Sequence, residues 1–376
     1  MSTTPEGTVP FLDLGRRVEA LQPRREIEVR RVFERGRFIL GESGAEIERE
    51  LAKYCGAAHG VGVASGTDAL WLALEALGVG PGDEVVTVSN TCAPTIAAVL
   101  QAGATPVLVD IDPKTLTMDP ERAEAALTPR SKCLLPVHLY GHCADLGALR
   151  ELSERRGLVL LEDCAQAHGA EHLGRRAGST GHAGSFSFYP TKNLWALGDG
   201  GMVVTNDPAV AKRLRLLRNY GYGEPNRSVL KGYNSRLDEV QAAVLLAGLS
   251  RLDDWNDRRR GIAARYTAAF SGSVITPPVE AAWARHVYHL YVVRSPERDR
   301  VREALRRRGI ETMIHYPVPV HWQEGYASLV RLGPGGLGLT ERLASEIFSL
   351  PLYPELTDHE VDRVIEVVGT ASGRHG

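Results

Sequence analysis

Residues 185–194 read Ser-Phe-Ser-Phe-Tyr-Pro-Thr-Lys-Asn-Leu, and Gly-Asp-Gly-Gly follows at 198–201. The apolar run with alternating small residues predicts a buried strand, which Pro190 and Thr191 end. Lys192 is then expected just past the strand end, on irregular backbone with an aromatic wall behind it. Because burial can lower the pKa of an amine and a neutral amine can attack a carbonyl, this stretch suggests a lysine that forms a Schiff base with pyridoxal phosphate. A solvated lysine at a strand end is the alternative interpretation.

The composition is that of an ordinary globular protein. The chain has 376 residues, of which 43% are hydrophobic and 24% charged, and its formal net charge is -2. This length predicts two domains, or one large α/β domain with an appendage. The charge indicates no nucleic-acid or membrane partner, and we interpret the arginine runs at 258–260 and 306–308 as solvated helix faces. No run is long enough to span a bilayer, and the N-terminus lacks the features of a signal peptide.

Cysteine usage predicts a reduced, cytoplasmic protein without a metal. The five cysteines are scattered and form no C-x-x-C pair: Cys55, Cys92, Cys133, Cys143 and Cys164. His138, His142 and Cys143 lie close together in sequence, so a metal site has to be considered. No second pair of ligands follows, and we therefore predict none.

Strands and helices alternate through the middle of the chain. Predicted strands cover 60–64, 84–88, 105–109, 133–137, 158–161, 185–188 and 202–205. Predicted helices begin at 69 and cover 95–102, 120–127, 146–156 and 208–218. This alternation predicts an α/β fold with a mostly parallel sheet covered by helices on both faces. Ligands of such sheets bind beyond the carboxyl ends of the strands, where the candidate residues lie.

The two ends of the chain have a different pattern. A short apolar arm at 9–14 precedes an arginine-rich amphipathic helix at about 17–35, and we expect the arm to pack either on a partner subunit or across its own core. A long helix at 235–256 continues helically through 258–270. Beyond it we predict strands at 288–294 and 311–315 and helices at 297–308, 343–348 and 359–368. We therefore divide the chain into a large α/β domain, residues 1–250 including the arm, and a smaller C-terminal α+β domain, residues 251–376.

Gly66 and Thr67 lie between a predicted strand and a helix. Backbone N–H groups at a helix N-terminus favour an anion such as phosphate, and glycine allows close approach. A plain capped helix is the alternative. The dinucleotide fingerprint is not met, because Gly60, Gly62 and Gly66 give G-x-G-x-x-x-G, one residue too long.

A second strand, at 158–161, leads into the acids Glu162 and Asp163. Asp163 would emerge beside the proposed cofactor, where a carboxylate keeps the pyridine nitrogen protonated so that the ring can accept electrons. Gln166 could reach the ring oxygen, and Ser187 would be a second phosphate ligand. Asp163 as the cap of the next turn is the alternative. Four indications therefore agree: a phosphate site at Gly66 and Thr67, an acid for the ring nitrogen, an amine for the aldehyde, and Ser187 as a second phosphate ligand. They also come in a sensible order along a parallel sheet.

Seven stretches together resemble the DegT/StrS family of nucleotide-sugar aminotransferases, over about residues 9–352. They are Ser-Gly-Thr-Asp-Ala-Leu at 65–70, Pro-Val-His-Leu-Tyr-Gly at 136–141, Glu-Asp-Cys-Ala-Gln-Ala-His-Gly at 162–169, Ser-Phe-Tyr-Pro-Thr-Lys-Asn-Leu at 187–194, Gly-Asp-Gly-Gly at 198–201, Gly-Tyr-Asn-Ser-Arg-Leu at 232–237 and His-Tyr-Pro-Val-Pro-Val-His at 315–321. The combination is highly specific.

The resemblance implies a fold-type I aminotransferase that uses pyridoxal phosphate (PLP) and its amine form (PMP) and works as a homodimer with shared active sites. It implies that Lys192 binds the cofactor aldehyde, Asp163 meets the pyridinium and Gln166 the ring hydroxyl. Gly66, Thr67 and Ser187 would hold the phosphate. They would be helped by Asn234 of the other subunit, unless Asn234 is simply a turn residue.

One residue departs from the family pattern. Many relatives carry an aromatic side chain, which stacks on the pyridine ring, where this chain has Cys92. We expect Cys92 to cover the ring with less area, which would weaken cofactor retention or change the room for the sugar. Harmless local variation is the alternative.

The resemblance also implies the reaction. L-Glutamate gives its amino group and leaves as 2-oxoglutarate, Lys192 moves the proton as general acid and base, and a nucleotide-diphosphate keto sugar accepts the amine. His315, Tyr316 and His321 are candidates for lining the sugar or the nucleotide, with core packing as the alternative for Tyr316.

The position of amination is less constrained. The stretches at 138–142, 217–221 and 315–321 look most like the branch that aminates C3 of dTDP-3-keto-6-deoxyhexoses. Amination at C4 and a keto-cyclitol acceptor remain open. Cofactor-dependent dehydratases of this family replace the lysine with histidine, so Lys192 argues for transfer. A regulatory protein that only binds a nucleotide sugar would leave the lysine, aspartate and serine set unexplained.

Overall fold

The computed structural model describes residues 7–371, which form strands joined mostly by helices. The strands are β1 His59–Val63, β2 Glu84–Val88, β3 Thr105–Val109, β4 Ser131–Leu134, β5 Val159–Asp163, β6 Glu171–His172, β7 Arg175–Arg176, β8 Ala183–Ser187, β9 Gly201–Thr205, β10 Tyr222–Glu224, β11 Arg227–Ser228, β12 Ala284–Arg285, β13 Tyr291–Arg294, β14 Arg331–Leu332 and β15 Ile347–Leu350. The α-helices are α1 Leu14–Glu19, α2 Arg24–Arg35, α3 Glu42–Cys55, α4 Gly66–Ala76, α5 Ala93–Gln101, α6 Pro120–Ala125, α7 Leu146–Arg156, α8 Pro208–Leu217, α9 Glu239–Leu249, α10 Leu252–Phe270, α11 Arg298–Arg307, α12 Gly338–Glu346 and α13 Asp358–Ala371.

One mostly parallel sheet organises the larger part of the chain. Its strand order is β1-β9-β8-β5-β4-β2-β3-β14, and only β9 runs antiparallel to its neighbours. The parallel strands are nearly continuous apolar runs, as expected when helices cover both faces. The predicted α/β fold with a mostly parallel sheet is therefore confirmed.

Two apolar layers sandwich the sheet. On one face Leu72 of α4, Val99 of α5 and Leu214 of α8 pack against the strands, and all three side chains are fully buried. On the other face Leu149 of α7 and Leu343 of α12 belong to a second buried cluster. The carboxyl ends of β1, β2, β5 and β8 consequently open at one edge of the sheet, and the loops after them carry the candidate residues.

The C-terminal part builds its own core around the antiparallel pair β13 and β15. The division predicted at residue 250 stays a prediction, although α9 ends at Leu249 and α10 begins at Leu252. Packing crosses this division repeatedly. Val9 pairs with Ile310 and lies in the C-terminal core, and β14 adds a strand beside β3 in the large sheet.

Several sequence predictions miss local details. The arginine run at 258–260 is not a solvated helix face, because Arg259 is 1% exposed and donates to buried backbone carbonyls. The long helix predicted from 235 begins at Glu239 and is interrupted between α9 and α10.

The helix predicted over 17–35 is two helices, because Pro23 interrupts the backbone ladder between α1 and α2. The strand predicted at 311–315 is reduced to a single bridge between Met313 and Ser349. The helix predicted at 343–348 ends at Glu346, since the buried run that follows pairs with β13. Within residues 7–371, no helix combines the length and apolarity needed to cross a membrane.

Candidate active site

A cavity of about 320 Å³ opens at the carboxyl edge of the sheet. Seven of the eight residues predicted to bind the cofactor line it: Gly66, Thr67, Cys92, Asp163, Gln166, Ser187 and Lys192. A larger groove of about 580 Å³ lies elsewhere, against α2, α3 and α9, and none of the predicted residues lines it. Because the smaller cavity gathers an amine, a carboxylate and a helix N-terminus, we take it as the candidate active site.

The N-terminus of α4 forms one wall. Ser65 caps this helix, its Oγ accepting a hydrogen bond from the Asp68 backbone N–H at 3.1 Å. A Cβ on Gly66 would come within 2.5 Å of the Ser187 Cβ, so only glycine lets the two elements approach this closely. The helix dipole and unpaired N–H groups make this wall suited to a phosphate.

Asp163 ends β5 and is 3% exposed. Its Oδ2 accepts a hydrogen bond from the Thr95 hydroxyl at 2.9 Å, and its Oδ1 accepts one from the Ala165 N–H at 3.1 Å. Burial raises the pKa of this carboxyl, and the two hydrogen bonds and the charge of Lys192 offset part of the rise. Asp163 is thus a carboxylate held in a fixed direction that would gain from one more positive partner.

Lys192 follows β8 by a tight turn, in which its backbone N–H donates to the Tyr189 carbonyl at 2.9 Å. Burial lowers the pKa of its amine, while Cys92 and Asp163 partly oppose that shift. A lysine with a lowered pKa holds a larger fraction of neutral amine near pH 7, and only the neutral amine is a nucleophile. The structure therefore gives Lys192 the electrostatic setting that the sequence predicts.

Gln166 connects the cavity to the C-terminal part of the chain. Its Oε1 accepts from the Tyr140 backbone N–H at 2.7 Å, and its Nε2 donates to the Tyr316 hydroxyl at 3.0 Å. Tyr140 has a φ of 60°, which is rare for a bulky residue, and its hydroxyl donates to the His315 carbonyl at 2.5 Å. Tyr316 also interacts with the thiol of Cys92, and burial raises the pKa of its hydroxyl. Tyr316 therefore lies beside two residues of the cavity.

The remaining predicted residues lie outside this cavity. His315 stacks on Phe11, and its Nδ1 shares a hydrogen bond with the Ser349 hydroxyl at 2.8 Å. Both ring nitrogens of His321 are engaged, Nδ1 by the fully buried Ser89 hydroxyl at 2.7 Å and Nε2 by Glu341 at 3.1 Å.

Asn234 is exposed, on the loop that follows the hairpin of β10 and β11. Its neighbour Ser235 is buried and tied to α4, because the Ser235 hydroxyl donates to the Asp68 carboxylate at 2.5 Å. The roles of Asn234, His315 and His321 stay predictions.

The buried cluster of His138, Glu162 and Cys164 has the ligand types of a metal site. The Ala144 N–H donates to the Nδ1 of His138, so its Nε2 carries the proton and donates to Glu162 at 3.0 Å. Glu162 also accepts three backbone N–H bonds, from Gly178, Thr180 and Gly181. Burial raises its pKa, but His138 and these N–H groups more than compensate and keep it low. The cluster is satisfied by the protein itself.

Sequence reasoning missed two residues that act on the site. Thr95 orients Asp163 and in turn pairs with the Thr91 hydroxyl at 2.8 Å. Because Thr95 follows a strand end in the first turn of α5, its position could have revealed it. Arg17 of α1 donates to the Pro190 carbonyl at 3.0 Å and the Lys192 carbonyl at 2.7 Å. No sequence pattern links it to Lys192.

The fold and the cavity together define an aminotransferase, and the comparisons identify the family. The DegT/DnrJ/EryC1/StrS aminotransferase family model matches residues 20–369, and the chain belongs to this family.

Two relatives and one crystal structure illustrate the similarity. The dTDP-3-amino-3,4,6-trideoxy-alpha-D-glucose transaminase of Streptomyces venezuelae is 49% identical over 96% of this chain and 95% of the relative. The erythromycin biosynthesis sensory transduction protein EryC1 of Saccharopolyspora erythraea is 49% identical over 95% and 98%. The crystal structure of S. venezuelae DesV in complex with a ketimine intermediate has a TM-score of 0.95 at 48% identity, covering 98% of this chain and 100% of that one.

Proposed function

We propose that this protein uses pyridoxal phosphate to move the amino group of L-glutamate to a nucleotide-linked keto sugar, at C3 of a dTDP-3-keto-6-deoxyhexose. The observation that carries the proposal is the meeting of Lys192, Asp163 and the Gly66–Ser187 contact in one cavity. These groups are separated by up to 126 residues along the chain, yet they supply the three contacts that this cofactor needs.

The residues present fit the cofactor. Gly66 and Thr67 at the start of α4, with Ser187, would hold the phosphate, and Asp163 would pair with the pyridine nitrogen. The raised pKa of Asp163 indicates that its carboxylate lacks a sufficient positive partner. A protonated pyridine would be such a partner. Lys192 would provide the amine and Gln166 a contact to the ring hydroxyl. When bound, pyridoxal phosphate supplies an aldehyde that takes up amines and a ring that accepts electrons.

The protein's own groups then perform the proton movements. The Lys192 amine would take the proton from the α-carbon of the amino donor and later deliver one to C3 of the acceptor sugar. Burial lowers the pKa of this amine, which favours the neutral form that acts as a base. The chain of hydroxyls from Thr91 through Thr95 keeps the Asp163 carboxylate facing the cavity.

Relatives support the choice of C3. The name of the S. venezuelae relative specifies an amine at C3 of a dTDP-linked deoxy sugar, and that relative aligns along nearly the whole chain. We carry this position over as a proposal, with a C4 aminotransferase on a dTDP-4-keto-6-deoxyhexose and a keto-cyclitol aminotransferase as alternatives.

A non-catalytic, sugar-binding regulator is a second candidate, favoured by the name of the S. erythraea relative, a sensory transduction protein. Such a protein would need no nucleophilic amine. Lys192 in a cavity that lowers its pKa is therefore an argument for catalysis. A visible absorbance band that shifts on addition of glutamate would separate the enzyme from the regulator.

We further propose a homodimer in which each active site takes Asn234 from the other subunit. Asn234 is exposed and does not line the cavity of its own chain. Phe33 and Phe38 are 63% and 47% exposed and contact each other edge to face, which is unusual for a monomer surface. The five free cysteines fit a reducing compartment, and we place the enzyme in the cytoplasm.

The shared site can be tested by mixing two inactive variants. If K192A and N234A chains are unfolded and refolded together, each mixed dimer contains one site with both native residues. We expect the mixture to recover roughly one quarter of the wild-type activity, since half of the dimers are mixed and have one intact site each. Recovery close to zero, with mixed dimers verified by native mass spectrometry, would contradict the shared site.

The substrate is tested with purified protein, pyridoxal phosphate and L-glutamate. dTDP-3-keto-6-deoxyglucose and dTDP-4-keto-6-deoxyglucose are offered separately, and the products are identified by mass and NMR. We expect an amine at C3 from the first sugar. An amine only at C4 would contradict the C3 proposal and keep the cofactor chemistry. No product, with a cofactor band that still responds to glutamate, would indicate another keto acceptor.

A further inference from the structure

Arg17 has an unusual environment for a charged residue. Its side chain is 1% exposed, it forms no ion pair within residues 7–371, and its Nε has no hydrogen-bond partner there. Burial lowers its pKa to about 10, although the charge of Glu355 partly compensates. A buried guanidinium without a bound carboxylate is costly, so its location calls for an explanation.

The contacts of Arg17 converge on the turn that carries Lys192. One terminal nitrogen donates to the Pro190 carbonyl at 3.0 Å and the other to the Lys192 carbonyl at 2.7 Å. The guanidinium carbon lies 5.1 Å from the centre of the Trp195 ring, within the range of a cation–π contact. The planar fork of arginine can hold both carbonyls at once, which lysine cannot do with the same geometry.

The segment around Arg17 is anchored at its other end to the C-terminal part of the chain. The Val9 N–H donates to the Gly309 carbonyl at 2.8 Å, and Phe11 stacks on His315. Arg16 binds Glu360 of α13 through two hydrogen bonds of 2.9 Å. Residues 9–17 thus form a strap from the C-terminal core to the Lys192 turn.

We propose that Arg17 is a positioning residue for Lys192: by fixing the carbonyls of Pro190 and Lys192, the Arg17 guanidinium holds the turn so that the lysine amine stays enclosed in the cavity. This inference rests on the proposed function, because it assigns a task to the lysine of that site. The side chain of Lys192 remains free to move, since Arg17 binds only backbone atoms of the turn. Arg17 itself does not line the cavity.

The chain offers two matched controls. Arg259 is a second buried arginine without an ion pair in the described residues, and its contacts are the carbonyls of Tyr288, His289 and Leu352. R259M therefore removes a comparable buried guanidinium that donates no hydrogen bond to the Lys192 turn. R16M breaks the contact to Glu360 and alters the same strap next to Arg17.

The first measurement needs no cofactor. Cofactor-free wild type, R17M, R17K, R16M and R259M are acetylated with a water-soluble acetyl ester between pH 6 and 11, and labelling of Lys192 is followed by peptide mass spectrometry. We expect the labelling midpoint of Lys192 to rise by about one pH unit in R17M, because the amine becomes hydrated, and to stay unchanged in R259M and R16M. R17K keeps the charge but cannot donate to both carbonyls at once, so we expect a labelling midpoint between those of wild type and R17M. If R17M does not fold, the R17K comparison decides.

The second measurement adds pyridoxal phosphate and follows its covalent attachment to Lys192 by absorbance and borohydride trapping. We expect attachment to slow about tenfold in R17M and to change less than twofold in R259M. Equal midpoints and rates in R17M and wild type would overturn the positioning role. The same shift in R259M would also overturn the positioning role, because the effect would then come from general stability. Wild-type values in R17K would overturn it too, because the effect would then come from charge alone. Absence of attachment in wild type would contradict the proposed function instead, and the acetylation result would still decide the role of Arg17.

Discussion

The strand-end cavity and the loop that carries Asn234 differ in one respect. The residues of the cavity meet within one chain, whereas Asn234 meets none of them in its own chain. The cavity brings together residues from β1 through β8 by hydrogen bonds and close contacts within one subunit. Asn234 is exposed and faces none of them, although Ser235 beside it is tied to α4. The comparison teaches that one chain brings the amine, the carboxylate and the helix N-terminus together by itself. The phosphate end, as we propose it, is completed by Asn234 of a second copy.

Removal of the Lys192 amine from the cavity should have the largest effect on activity. In K192A we expect turnover to fall by more than about 10³-fold, because the nucleophile and the general base are removed together. The melting temperature should change little, since the amine donates no hydrogen bond to any residue between 7 and 371. The coupled assay and a thermal melt measure both. K212A, at an exposed lysine of α8, is the control, and full activity in K192A would refute the role of Lys192.

Removal of a charge without a change of shape tests the carboxylate. D163N keeps the size of the side chain and a partner for Thr95, but it leaves the pyridine nitrogen without an anion. We expect turnover to decrease by roughly 10²-fold. T95V removes the hydrogen bond that orients the carboxylate but keeps its charge. We expect the decrease in kcat to be about tenfold smaller in T95V than in D163N. Equal losses in the two variants would mean that orientation, rather than charge, is the contribution of Asp163.

A single methyl group tests the phosphate end. The added Cβ in G66A would lie 2.5 Å from the Ser187 Cβ, so the helix N-terminus must shift. We expect the affinity for pyridoxal phosphate to fall about tenfold, which corresponds to roughly 1.4 kcal/mol and to typical overpacking costs. Fluorescence titration measures it, and G66A/S187G should recover the space but not the serine contact. G261A, with open space around it, should bind normally.

The last prediction concerns stability rather than activity, in the apolar wall behind the lysine. His168 is buried against Phe186 and Phe188, and burial, with the charge of Lys192, lowers its pKa to about 3. The unfolded chain takes up a proton near pH 6.5 and the folded chain does not, so stability is lost as pH falls from 6.5 toward 3. We expect H168F to remove about 2 kcal/mol of this loss at pH 5.

Urea unfolding at pH 7.5, 6 and 5 measures the effect of His168. H359Q, at an exposed histidine of α13, controls for the loss of an imidazole. If wild type and H168F lose stability in parallel as the pH falls, His168 does not remain neutral in the folded state.

Much of the cavity could be predicted because its residues follow strands. Alternation gave the bounds of β2, β3 and α7 as the structure has them, and it placed Asp163 and Lys192 at the same edge of the sheet. Such predictions depend on local periodicity, which each segment contains in itself.

The contacts of Arg17 could not be predicted in this way. Its partners are backbone carbonyls 173 and 175 residues away, and any residue presents the same carbonyl. The helical prediction for residues 347 and 348, at the start of β15, was wrong for a related reason. The four buried residues of this strand suit a helix or a strand equally, and only the pairing with β13 decides between the two.

Glu162 and Asp163 are consecutive in β5, so their side chains point to opposite faces of the sheet. Glu162 is saturated by four donors, from His138 and the 178–181 loop, whereas Asp163 keeps capacity for a ligand. The hydrogen bonds of Glu162 fix the end of β5, and they thereby fix the position of Asp163, the next residue in the strand. Because we propose that the 315–321 segment lines the acceptor, we expect changes in that segment to alter acceptor specificity while Glu162 and its four donors are kept.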